Sequence, residues 1–149
     1  MRKSKAESLG DILVVDDMPS NLRLLSQTLA EKGYGVRTVT SGPRALESAR
    51  TSPPDLILLD IRMPGMDGYE VCTRLKEDER TAHIPIIFIS ALDQVEDKVQ
   101  AFQFGGVDYI TKPFQVEEVL ARTETHLALR RLQERQEKIN QRMQRELTL

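Results

Sequence analysis

Asp16, Asp17, Asp60, Ser90 and Lys112 each follow a short apolar run. Ile12–Val15 leads into Asp16-Asp17, Leu56–Leu59 into Asp60, Ile86–Ile89 into Ser90, and Val107–Ile110 on to Lys112. Three carboxylates gathered in one place repel one another, and such a site is stable mainly when a hard cation neutralises it. All-oxygen ligands with room left for phosphate oxygens suit Mg2+, which keeps several waters and takes few carboxylates. Lys112 offers a compact positive charge that can pair with Asp60 or with a phosphoryl oxygen. The Ser90 hydroxyl can donate to another. Phosphoryl transfer asks little of a protein beyond alignment and charge neutralisation. A carboxylate nucleophile with a metal on one side and Lys and Ser on the other meets that demand. Any one Asp after a strand reads equally well as a turn residue or helix cap. Together, the five converge on one site only if their runs end at the same edge of one sheet.

The elements that would position them alternate along the chain. Besides the four runs above, Val36–Val39 reads as a strand, and it and Val107–Ile110 are the more polar pair, as edge strands should be. Leu56–Leu59 and Ile86–Ile89 are continuous Leu/Ile/Phe runs, which suits parallel strands covered on both faces. Between them, Leu22, Leu25 and Leu29 keep a helical period opened by Pro19 and closed by Gly33. Ala45, Leu46 and Ala49 mark a second helix. Val71, Cys72 and Leu75 mark a third with Asp67 as candidate N-cap, Val95, Val99 and Phe102 a fourth ended by Gly105-Gly106, and Val116, Val119, Leu120 and Thr123 open a fifth. Five βα repeats predict an α/β fold: a doubly wound, five-stranded parallel sheet with right-handed crossovers and helices on both faces. Ligands of such sheets sit outside the carboxyl ends of the strands, near the switch point of the strand order.

Composition limits the alternatives. The 149 residues suit one domain with a modest appendage, and 40% hydrophobic residues can build a core. A net charge of −2 does not mark a nucleic-acid binder. Cys72 is the single cysteine, which excludes a disulfide framework and fits a reducing compartment. No apolar stretch of signal or membrane length is present, so a cytoplasmic location without membrane attachment is expected. Residues 1–10 read as a flexible leader, 11–127 as the domain, and 128–149 as a helical extension.

From Gln115 to Leu149 there is neither Gly nor Pro, so one helix of about 50 Å is possible at about 1.5 Å per residue. Leu129, Leu132, Gln136, Ile139 and Met143 follow alternating three- and four-residue steps, with Leu147 one turn on. That stripe predicts a parallel two-stranded coiled coil, hence a homodimer, because apolar side chains so placed otherwise stay in water. A solvated tail is the plainer alternative. A basic face for nucleic acid is a weaker one, and no helix-turn-helix pattern accompanies it. An output domain beyond residue 149 is left open.

The motifs Val14-Val15-Asp16-Asp17, Leu58-Leu59-Asp60-Ile61-Arg62-Met63-Pro64-Gly65-Met66-Asp67-Gly68, Ile89-Ser90-Ala91 and Asp108-Tyr109-Ile110-Thr111-Lys112-Pro113-Phe114 resemble a response-regulator receiver domain over about residues 11–127. The spacings match as well, with Ser90 thirty and Lys112 fifty-two residues after Asp60. The resemblance implies a flavodoxin-like (βα)5 fold and a two-component role with a sensor histidine kinase as phosphodonor. It implies Asp60 as phosphoacceptor, with Mg2+ held by Asp17 and Asp60, by Asp16 through water and by the main-chain carbonyl of Arg62. It further implies Ser90 and Tyr109 as a switch pair, Lys112 on the phosphoryl group, and a cis peptide before Pro113. Ser90 stands where Thr is commoner in the family, and Gly106-Val107 replaces an Ala-containing turn. Arg62 and Leu92 would border the phosphoryl group and tune its lifetime.

Rival functions fit less well. A haloacid-dehalogenase-like phosphatase needs a second Asp two residues after its nucleophile, where this chain has Arg62. A nucleotide-binding sheet needs a glycine-rich turn after the first strand, where Asp16-Asp17-Met18-Pro19 is acidic and lacks glycine. A dimerisation module that keeps only the fold would not require the complete acidic set with Ser90 and Lys112. His126 reads as a helix-surface residue, His83 as a loop residue and Cys72 as an apolar filler.

Overall fold

The computed structural model describes residues 8–148. Five strands and five helices alternate: β1 Asp11–Val15, α1 Pro19–Lys32, β2 Gly35–Val39, α2 Gly42–Thr51, β3 Leu56–Asp60, α3 Gly68–Glu77, β4 Ile86–Ser90, α4 Val95–Gln103, β5 Asp108–Thr111 and α5 Val116–Leu147. All the strand pairs are parallel, and their order is β2-β1-β3-β4-β5. The polar strands β2 and β5 take the edges, where one side of each ladder is free. The strand order reverses at β1, so the crevice between the carboxyl ends of β1 and β3 is the switch point of this sheet.

The buried strands show why this sequence must be covered on both faces. Along β3, Ile57 and Leu59 point to one side, where α2 and α3 supply Ala45, Leu46, Ala49, Val71, Cys72 and Leu75. Leu56 and Leu58 point to the other, where α1 and α5 supply Leu22, Leu25, Leu29, Val119 and Leu127. A period of two with both phases apolar leaves no polar face for water.

Local signals set the helix ends. Pro19 opens α1, and Gly33, at φ 109°, closes it in the left-handed region that a side chain disfavours. The Asp67 carboxylate caps α3 by accepting the Glu70 N–H at 2.9 Å. Gly68 then allows a close approach, because a β-carbon there would collide with the Asp60 carbonyl oxygen and stand 2.8 Å from Ile61 Cα.

Two features could not be read from periodicity. The apolar stripe of α4 faces outward: Val95 is 71%, Val99 50% and Phe102 49% exposed, and Ala101 is the buried residue of the helix. A repeat of three and four identifies a helix but not which side of it meets the sheet. His126 is half-buried instead of lying free on the surface, with Nε2 2.9 Å from Asp108 Oδ2 beside the Arg122 guanidinium.

Of the expected leader 1–10, residues 1–7 lie outside the described residues. Ser8 Oγ accepts the Gly35 N–H at 2.9 Å, and the Leu9 N–H donates to the Gly33 carbonyl at 3.0 Å. At the other end, α5 is a single helix of 32 residues. Where it leaves the sheet, Arg130 donates to the His83 carbonyl at 3.2 Å and Arg131 to the Leu9 carbonyl. From Leu129 onward, Leu129, Leu132, Ile139, Met143 and Leu147 are exposed; Leu149 lies outside the described residues. Among the described residues no helix is long and apolar enough to cross a membrane.

Candidate functional site

β1 carries Asp16 and Asp17 just past its end, β3 ends on Asp60, β4 ends on Ser90, and Lys112 follows β5. Parallel pairing in register brings these termini to one rim: Val15 pairs with Leu59, Asp60 with Ile89, and Ser90 with Thr111. Asp16, Asp17 and Asp60 each present a carboxylate oxygen within 4.8 Å of the others, a spacing that one cation can span. Asp16 is 2% and Asp60 5% exposed, and Asp17 is half-buried.

The carboxylates differ in how they are satisfied. Asp16 accepts the Met18 N–H at 2.9 Å on one oxygen, and on the other the Asn21 amide at 3.2 Å and the Lys112 ammonium at 2.9 Å. Asp60 has Lys112 Nζ at 3.4 Å, and among the described residues no other donor approaches its side chain. Burial, reinforced by the negative field of Asp16, pushes the Asp60 carboxyl up to about 6 against the opposing pull of Lys112. Burial alone would lower Lys112, but its bond to Asp16 and the field of Asp60 outweigh that and hold it above its ordinary value. The set is therefore short of positive charge. Oxygen-only donors with one poorly compensated carboxylate fit a hard divalent cation, as Mg2+ is.

The remaining expected residues ring this pocket. Ser90 is buried; its Oγ accepts the Leu92 N–H at 3.2 Å, and its side chain also hydrogen-bonds the Tyr109 hydroxyl. Tyr109 is buried and turned inward, with its hydroxyl donating to the Leu92 carbonyl at 2.6 Å. The Lys112-Pro113 peptide is cis. The Arg62 side chain is exposed; with Met63, Pro64, Asp67, Tyr69 and Leu92 it lines a depression of about 500 Å3 beside the rim. Asn21, which occupies Asp16, was missed by sequence reasoning: it lies in the first turn of α1, where a polar residue suggests no more than a helix start.

Residues 12–124 match the family model described as response regulator receiver domain. The chain belongs to this family. Its relatives include the DNA-binding dual master transcriptional regulator RpaA of Synechocystis, 48% identical over 111 residues that make 74% of this chain and 46% of that protein. They also include the response regulator PleD of Caulobacter vibrioides, 50% identical over 68% of this chain and 22% of PleD. This receiver chain thus spans less than half the length of either. Among solved structures it is similar to the chemotaxis protein CheY4 of Vibrio cholerae, with a TM-score of 0.75 and 29% identity over 79% of this chain and 98% of that one. It is a receiver of two-component signalling, flavodoxin-like in fold, with α5 prolonged.

Proposed function

We propose that this receiver takes a phosphoryl group from the phosphohistidine of a sensor histidine kinase onto Asp60, in a Mg2+-dependent reaction. The observation that carries the reading is the contrast between two neighbouring carboxylates. Asp16 accepts three donors, whereas Asp60, at the switch point of the sheet, has Lys112 alone near it and keeps more of its oxygen lone pairs free. In the transfer an Asp60 oxygen attacks phosphorus, the P–N bond breaks, and its electron pair stays on the imidazole. Lys112 shifts from Asp16 towards a phosphoryl oxygen, and the Ser90 hydroxyl turns to donate to another. Asp17, Asp60 and the main-chain carbonyl of Arg62 would hold the Mg2+ directly, and Asp16 through water. The ion supplies charge neutralisation between carboxylates and phosphoryl oxygens.

The response is a population shift: the phosphoryl group stabilises the arrangement in which Ser90 reaches it and Tyr109 packs inward. The domain, residues 11–127, acts as a phosphoacceptor in the cytoplasm and not as an enzyme with a separate substrate. Residues 128–149 pair with a second copy through Leu129, Leu132, Gln136, Ile139 and Met143 and pass the change to an output domain. Incubation with Mg2+ and acetyl phosphate followed by intact mass measurement tests the reading. One phosphoryl adduct is expected on the wild type and none on Asp60→Asn; an adduct of equal yield on the variant would overturn it.

A further inference from the structure

Helix α4 meets the domain with little apolar burial, since Val95, Val99 and Phe102 point to solvent and Ala101 alone among its residues is buried. Something else must fasten it. The Tyr69 ring stacks on Phe104, the C-cap residue of α4, with centroids 4.7 Å apart and planes at 22°. The same ring leans on Phe88 of β4 at 5.6 Å and 59°. Its hydroxyl reaches the first turn of α4, donating to the Asp97 carbonyl at 3.4 Å. One side chain therefore touches both ends of α4.

The root of that side chain is equally constrained. Tyr69 follows Gly68, whose N–H donates to the Ile61 carbonyl at 2.8 Å and whose bare Cα is pressed against the backbone of Asp60. The surfaces that Tyr69 leans on are braced as well. Cys72 Sγ donates to the Phe104 carbonyl at 3.2 Å. A β-carbon on Gly106 would stand 2.6 Å from the Phe88 ring, so glycine at this position leaves that ring its place.

We infer that Tyr69 is a positioning residue, a strut between the backbone of the Asp60 turn and both ends of α4. Through it the order of α4, and with it the presentation of the Val95, Val99 and Phe102 stripe, follows the β3–α3 turn directly. Tyr109 acts in parallel, holding the loop before α4 at the Leu92 carbonyl. The strut touches none of the carboxylates.

The test is amide exchange of the full chain, read by mass spectrometry on peptides of α4, α3 and β4, with acetyl phosphate uptake measured on the same proteins. In Tyr69→Leu, exchange in α4 should speed about tenfold, the scale of one lost aromatic stack, while α3, β4 and uptake at Asp60 stay near wild type. Tyr69→Phe keeps the ring and should keep most of the protection. Phe104→Leu, at a partly exposed ring, should reproduce the loss and decides the matter if Tyr69→Leu does not fold. Unchanged α4 exchange in Tyr69→Leu or Phe104→Leu, or equal acceleration in α3 and β4, would overturn the strut. The exchange comparison needs no phosphoryl group, so absence of uptake by the wild type would sink the functional reading and leave this test standing.

Discussion

Lys112 Nζ lies 2.9 Å from Asp16 Oδ2 but 3.4 Å from Asp60 Oδ2, so this ammonium is committed first to the carboxylate that does not react in the proposed transfer. It thereby holds two buried like charges together without blocking Asp60. Lys112→Met removes that compensation. Without Mg2+ at neutral pH, unfolding free energy should fall by about 2 kcal/mol, as for loss of a charge-assisted bond at a partly shielded site. Denaturant titration measures it; no loss would mean that the ion pair contributes nothing to the fold.

The Asp60 carboxyl, raised from 3.8 to about 6 chiefly by burial and then by Asp16, makes stability fall as pH rises. An acid whose folded value lies above its unfolded one binds its proton more tightly in the folded state. The stability this supplies is complete below about pH 4 and is lost as pH climbs through about 6, a change of about 3 kcal/mol. Thermal melts of metal-free wild type should therefore decline over that window relative to Asp60→Asn, and added Mg2+ should close the gap at pH 7. Parallel profiles for the two proteins would contradict the burial penalty.

Arg62 stands exposed at the edge of the depression shared with Leu92, two residues past Asp60. From there its guanidinium can pair with a phosphoryl group or shield it from water. The aspartyl phosphate of Arg62→Ala should hydrolyse about two- to fivefold faster, the scale of one exposed ion pair. Equal decay rates after removal of the phosphodonor would eliminate this role.

The outer stripe of α5 predicts its own disruption. Leu132→Glu or Ile139→Glu places a charge in the seam and should weaken self-association about tenfold or more, while phosphoryl uptake at Asp60 is unaffected. Sedimentation across a concentration series reads this. A wild type that stays monomeric throughout would refute the pairing.

The rim was legible because strand ends are marked twice in this chain, by the close of an apolar run and by a residue that a core rejects. Leu59-Asp60 and Ile89-Ser90 are such junctions, and parallel pairing aligns them without further information. Asp67 was legible as a cap because capping is local in sequence. The strut was not legible: Tyr69, Phe88 and Phe104 lie apart in the chain, and no local pattern joins them. The outward turn of the α4 stripe and the seating of His126 on Asp108 were hidden for the same reason, since both depend on which surface the fold brings opposite.

In the proposed transfer the phosphoryl group sits on Asp60 and on no other carboxylate of the rim. Its most direct test is chemical mapping: phosphorylate the wild type with acetyl phosphate and Mg2+, reduce the acyl phosphate with borohydride, and locate the resulting homoserine by fragment mass. Conversion is expected at residue 60 alone, dependent on Mg2+. Conversion at Asp16 or Asp17, or a wild type that acquires no label with Mg2+ present, would contradict it.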